Sequence, residues 1–267
     1  MILAIDMGNT NIVLGGIDQH KTYFVERITT NPSKTALEYA VTLKDTLEIY
    51  HIPPEQIEGA ILSSVVPPLN ATILSAVEKI LGKRPLLVGS GMKTGLNILM
   101  DNPKTVGSDM IVDAVAAIHE HPKPIVIVDM GTATTLSVVD KAGNYCGGVI
   151  LPGLRVSLDS LSGKAAQLPY ISLELPEKVI GKNTIDCMRS GILYGNAAQI
   201  DGIIDRMEEE LGEKVSVVAT GGLAKLVTPL CRHAVVYDDA LLLKGLLILY
   251  QKNSTAGSAQ GHNGKKA

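Results

Sequence analysis

Aromatic residues are scarce in this chain: among 267 residues there is no tryptophan and one phenylalanine. A surface that stacks nucleic-acid bases needs several such rings, so that class is excluded. The core has to be assembled from Ile, Leu, Val, Ala and Met. A basic excess is missing too. The net charge is −3, so no global field recruits nucleic acid or anionic lipid, and any anionic ligand must be held by local geometry. Cys146, Cys187 and Cys231 lie far apart, with no C-x-x-C or Cys/His spacing. That excludes a disulfide framework and a structural zinc and suits a reducing cytoplasm. No apolar run approaches the ~20 residues of a membrane span. The N-terminus enters a strand with no basic n-region before it, so no signal peptide is expected. What is present, 46% hydrophobic and 19% charged residues, is the balance of a soluble globular protein long enough for two domains.

The most informative stretch is Ile5-Asp6-Met7-Gly8-Asn9-Thr10-Asn11. Apolar runs lead into it and out of it, which predicts a strand, a tight turn and a second strand. Gly8 lets a ligand approach the main chain. Turn amides and the Thr10 and Asn11 side chains can donate to phosphate oxygens. Asp6 can order magnesium through water, because that ion gives up its waters reluctantly. On a single occurrence, an ordinary hairpin turn is the better reading.

A second occurrence changes the balance. After three strands, a capping box at Thr35-Ala36-Leu37-Glu38 opens a helix with Leu37, Ala40, Val41, Lys44 and Leu47 at helical spacing. A strand (Gly59 to Val66), a helix (Asn70 to Leu81) and a short strand follow. Gly89 to Val106 reads as a connection, and a helix then carries Asp109 in its first turn, where its dipole favours a carboxylate. From Pro124 the opening pattern restarts as Val128-Asp129-Met130-Gly131-Thr132-Ala133-Thr134-Thr135. Both stretches are strand, Asp-Met-Gly turn with hydroxyls, and strand, separated by about one domain. That is the mark of an internal duplication. Thr184 to Leu211 reads as one or two helices with Asp186, Asp201 and Glu208 to Glu210 on solvated faces. A strand then ends in Thr220-Gly221-Gly222 before a helix, a placement suited to contact with a nucleotide. His119 and His121 read as a solvated helix end. The division expected is 1–118, 119–252 and a disordered tail over 253–267.

Two related halves with Asp-x-Gly turns and a late strand–Gly-Gly–helix resemble the acetate and sugar kinase, Hsp70 and actin superfamily. The closer resemblance is to type III pantothenate kinases. It is carried by Asp6 through Asn11, Ser63-Ser64-Val65-Val66-Pro67-Pro68, Gly95-Leu96-Asn97-Ile98, Val106-Gly107-Ser108-Asp109, Asp129 through Thr135, Gly147 through Gly153, Gly181-Lys182-Asn183-Thr184 and Ala219-Thr220-Gly221-Gly222. It implies an α/β fold of two duplicated actin-like (ribonuclease H-like) domains, each a mixed five-stranded sheet flanked by helices, with an ATP cleft between them. It implies phosphorylation of pantothenate by ATP, the first step of coenzyme A biosynthesis, in a cytoplasmic homodimer. Asp6, Met7, Gly8, Asn9, Thr10, Asn11, Ile12 and Val13 would bind ATP, as would Thr132, Gly221 and Gly222. Magnesium would lie near Asp6 and a monovalent cation, potassium or ammonium, at Asp129. Asp109 would be the general base. Met100, Gly107, Ser108, Asp109, Met110 and Thr184 would line the acceptor site, although Thr184 is equally suited to capping the next helix.

Two positions depart from the family pattern. Met110 replaces an arginine in Gly-Ala-Asp-Arg, here Gly-Ser-Asp-Met, and Met100 replaces a tyrosine. A thioether cannot mimic the guanidinium fork. Lys104, Arg155 or Lys164 could supply the missing charge, or the acceptor could be another small alcohol. A nucleotide-binding regulatory protein that has lost turnover is the third reading, and the intact Asp109 counts against it.

Overall fold

Strands and helices alternate along the computed structural model, which describes residues 1–258. β1 (Ile2–Met7), β2 (Asn11–Ile17), β3 (Thr22–Thr29), α1 (Ala36–Ile49), β4 (Gly59–Ser64), α2 (Asn70–Leu81) and β5 (Leu86–Leu87) come first. β6 (Asn97–Ile98), α3 (Ser108–Glu120), β7 (Ile125–Met130), β8 (Ala133–Val139) and β9 (Asn144–Pro152) follow. The chain continues through α4 (Leu154–Lys164), α5 (Thr184–Leu211), β10 (Ser216–Thr220), α6 (Ala224–Val227), β11 (Val235–Tyr237) and α7 (Leu241–Ser258). No helix among the described residues is long and apolar enough to cross a membrane.

The chain forms two compact units. The first is Met1–Gly95, Asn102–Ala116 and the residues from Ala240 on; the second is Leu96–Asp101 and Ala117–Asp239. A single boundary after residue 118 therefore misses two features: Leu96–Asp101 belongs to the second unit, and α7 belongs to the first. The reason for α7 is its apolar face. Leu243, Leu246 and Leu249 are buried in one cluster with Ile2, Ala4 and Ile61 of the first sheet and Val112 and Val115 of α3. The expected tail is also displaced. Asn253 lies inside α7, where its amide donates to Leu249 O at 2.8 Å and Lys93 O at 3.1 Å. Residues 259–267 lie outside the described residues.

In the first unit the sheet order is β3-β2-β1-β4-β5. β1 pairs antiparallel with β2 and parallel with β4. Side chains alternate along a strand, so β1 feeds two cores. Ile2 and Ala4 face α3 and α7. Leu3, Ile5 and Met7 face the cluster built with Tyr39, Leu43, Ile73 and Val77 of α1 and α2. The capping box at α1 forms as expected, with Thr35 and Glu38 bonding reciprocally. Its buried stripe is shifted, however. Tyr39, Ala40, Leu43 and Leu47 go inside, while Leu37 and Val41 stay in solvent. Tyr39 is the residue that decides this, because its hydroxyl finds both N–H and C=O of Asn31, at 2.9 and 3.0 Å, and so can be buried without an orphaned polar group.

The second sheet has the order β11-β10-β7-β8-β9-β6. Without β6 this is the order of the first sheet read from its other edge, which bears out the duplication. The extra strand makes six rather than the expected five. It comes from the supposed connection after Gly89, where Asn97 and Ile98 pair parallel with Asn144 and Tyr145.

Two acidic groups assigned to solvated faces are buried. Asp201 accepts the N–H groups of Arg232 (2.8 Å) and His233 (3.1 Å). Glu208 accepts Val215 N–H at 3.1 Å and pairs with Lys214 Nζ at 2.5 Å, tying the end of α5 to the start of β10. Burial pushes the Glu208 carboxyl up, but the Lys214 and Val215 hydrogen bonds together outweigh it, and the net direction is down. A group whose folded pKa is depressed stabilises above its unfolded pKa, and that stability is lost as pH falls through the folded value. Thermal melts recorded from about pH 6 down to about pH 3 are expected to show an acid-side loss of stability that is smaller in Glu208→Gln. An identical acid limb in the two proteins would refute the assignment.

Candidate active site

In the first unit the opening turn forms as read. Gly8 N–H donates to Asn11 O at 3.0 Å, closing the loop between β1 and β2. Thr30 braces it from the end of β3, its N–H reaching Thr10 O at 3.0 Å and its hydroxyl Gly8 O at 2.7 Å. Asn9, Thr10 and Asn11 are exposed and Asp6 is half-buried at the strand end. Met7 and Ile12 are fully buried in the core, so any part they take in ligand binding is main-chain.

α3 begins beside this turn. Asp6 is the register partner of Ser63 on β4, and the Ser63 hydroxyl lies 3.0 Å from that of Ser108, the first residue of α3. Ser108 Oγ also accepts Ser64 N–H and donates to Ser64 C=O, both at 3.0 Å. Asp109 follows. Its Oδ1 accepts Met110 N–H at 2.9 Å, which satisfies one of the unpaired amides of a helix start. A Cβ on Gly107 would run into the same Oδ1. The first unit thus gathers Asp6, the opening turn, Gly107, Ser108, Asp109 and Met110 at one end of its sheet. The sequence reading assigned no site role to Thr30, and Ser63 entered it only among the residues that carry the family resemblance. The Ser63-Ser64 pair closing an apolar strand was the available signal, whereas nothing local marks Thr30.

The second unit repeats the turn one residue shorter, with Gly131 N–H donating to Ala133 O at 3.0 Å. Asp129 is half-buried and pairs in register with Thr135 on β8 and Thr220 on β10. Gly221, with φ +96°, packs so closely that a Cβ would come within 2.7 Å of the Met130 main chain. Asp129, Thr132, Gly221 and Gly222 therefore share one end of this sheet. Met100, next to β6, rests its sulfur against Gly147 of β9. Thr184 is exposed and does not cap α5. Asn183 does, accepting Asp186 N–H at 2.9 Å. His119 is exposed as expected, but the Nε2 of His121 is screened from solvent. Lys104, Arg155 and Lys164 are all exposed, and of the three only Lys104 shares the unit of Asp109 and Met110.

All three cysteines are free. Burial, then the nearby Asp201 charge, pushes the Cys231 thiol up to about 11, so it is a packing residue and not a nucleophile.

Solved structures share this architecture. A putative Baf family transcriptional activator from Campylobacter jejuni superposes with a TM-score of 0.61 at 16% identity, over 95% of this chain and 100% of its own. The activator of 2-hydroxyisocaproyl-CoA dehydratase from Clostridium difficile, solved with ADPNP, gives 0.56 at 14% identity over 100% and 99%. At such identities the likeness establishes the fold alone. Sequence goes further. A type III pantothenate kinase from Exiguobacterium sp. is 46% identical over 253 residues, spanning 95% of this chain and 99% of the relative. The family model for type III pantothenate kinases matches residues 2–206. With both Asp-Met-Gly turns and Asp109 in place at the sheet ends, the chain belongs to the type III pantothenate kinase family.

Proposed function

We propose that this chain transfers the γ-phosphoryl group of ATP to the primary hydroxyl of pantothenate, giving 4′-phosphopantothenate and ADP. The observation that carries the reading is the placement of Asp109 and the Asp6 turn at one end of one sheet, joined through Ser63. Phosphoryl transfer asks mainly for positioning and for stabilisation of charge. With Oδ1 committed to Met110 N–H, Asp109 Oδ2 takes the proton as the pantothenate oxygen forms its bond to phosphorus and the bond to ADP breaks. Thr10 and Asn11 hold phosphate oxygens, and Thr132, Gly221 and Gly222 contact the nucleotide. Gly107, Met100, Met110 and Thr184 shape the acceptor side.

Asp6 and Asp129 are hard oxygen donors at strand ends, which suits magnesium (through water) and a monovalent cation, potassium or ammonium, respectively. Bound there, the cations supply charge neutralisation. A cytoplasmic homodimer is part of the same proposal. Its support is three free cysteines and the exposed Val179, Ile180 and Ile185 around the start of α5.

Met110 supports a second reading, a kinase of this fold acting on another small alcohol, because the position lacks the family's charged fork. Purified protein with ATP, magnesium and potassium, assayed against a panel of small alcohols, separates the readings. Pantothenate is expected to be the best acceptor, with turnover dependent on potassium or ammonium. A better alcohol would favour the second reading. Nucleotide binding with no acceptor phosphorylated would point to a regulator.

A further inference from the structure

We infer that the paired hydroxyls of Ser63 and Ser108 form a positioning clip that sets the Asp109 carboxylate relative to the Asp6 turn; this rests on the reading of Asp109 as the base. A serine hydroxyl offers one donor and two acceptor sites. Ser108 uses all three: it donates to Ser64 C=O, accepts Ser64 N–H and meets the Ser63 hydroxyl, each at 3.0 Å. Since its donor goes to Ser64, the proton between the two hydroxyls comes from Ser63. Nothing remains with which Ser108 could bind an acceptor molecule, so its part in the site is indirect. Ser63 is fully buried, and a buried hydroxyl without a partner is costly.

The helix start needs such a clip. Gly107, which precedes it, has no side chain to cap α3, and the chain arrives there from a short 3-10 turn at Pro103–Thr105. The clip instead ties α3 to the last two residues of β4, which are the register partners of Asp6 and Met7. One group of hydrogen bonds therefore fixes both the metal-side carboxylate and the proton acceptor.

The test compares Ser108→Ala, Ser63→Ala and Ser108→Thr with the parent and with Asp109→Asn, using steady-state kinetics on protein shown to be folded by circular dichroism. Both alanine variants are expected to lose about ten- to a hundredfold in kcat, with KM for ATP little changed, as a misplaced catalytic group does. Ser108→Thr, which keeps the hydroxyl, is expected to recover most of the loss. If Ser108→Ala does not fold, Ser63→Ala carries the test. A raised KM for the alcohol at unchanged kcat would make Ser108 a substrate contact and overturn the clip. So would unchanged kinetics in a background where Asp109→Asn is inactive. Full activity in Asp109→Asn would remove the base assignment, and the clip with it.

Discussion

Asp109→Asn is expected to lose phosphoryl transfer by about 10²–10⁴-fold, the usual contribution of a positioned general base, while the protein melts where the parent does. The two halves of this expectation come from different oxygens. Oδ1 caps α3 through Met110 N–H, and an asparagine oxygen can accept the same bond, so the helix start keeps its partner. The other position changes from a carboxylate oxygen, which can take a proton, to an amide nitrogen, which cannot. Kinetics with saturating ATP and a parallel thermal melt check both halves. A variant that melts normally yet turns over at the parental rate would remove Asp109 from the chemistry. One that melts well below the parent would mean the carboxylate is mainly structural.

Gly221→Ala is expected to be strongly damaging to the second unit. The residue has φ +96°, and an added Cβ would sit 2.6–2.7 Å from the O, C and N of Met130. All three are main-chain atoms of a residue that is 1% exposed, so no side chain can swing away. Backbone strain and overpacking together put the cost at about 2–5 kcal/mol. Met130 leads directly into the turn that carries Thr132, so nucleotide affinity is expected to fall along with stability. Gly191, within α5, is the control. Nothing lies within 4 Å of a Cβ there, and alanine is expected to be neutral or stabilising by up to ~1 kcal/mol. Melts of both variants with and without an ATP analogue check this. Gly221→Ala with the parental midpoint and the parental shift on nucleotide addition would contradict it.

The repeated turn was legible because both copies are short-range objects: strand, glycine and hydroxyls within a few residues. So was the position of Asp109 on the first turn of α3, since helical spacing after Gly107 specifies it. What stayed hidden depends on partners distant in the chain. β6 is two residues long and is a strand only because Asn144 and Tyr145 accept it as one. Asp201 and Glu208 look like ordinary surface acids until the loop at Arg232 and the strand at Val215 bring amides to them. On α1, spacing alone favoured Leu37 and Val41, and only the bonds from Asn31 to Tyr39 show why a different stripe goes inside. Ser63 and Ser108 are far apart in sequence, so their contact could not be read from either segment.

The return of α7 to the first unit has a consequence for biosynthesis. During translation β1 and β4 leave the ribosome early, but the leucines that cover one side of their sheet are made only after every strand of the second unit. Leu243, Leu246 and Leu249, each at most 2% exposed in the finished protein, bring ~1.5–3 kcal/mol apiece on burial. Until they emerge, Ile2, Ala4 and Ile61 lack that cover, whereas every strand of the second unit has already been synthesised. The half that carries the opening turn and Asp109 therefore cannot complete its core until the second unit has been made.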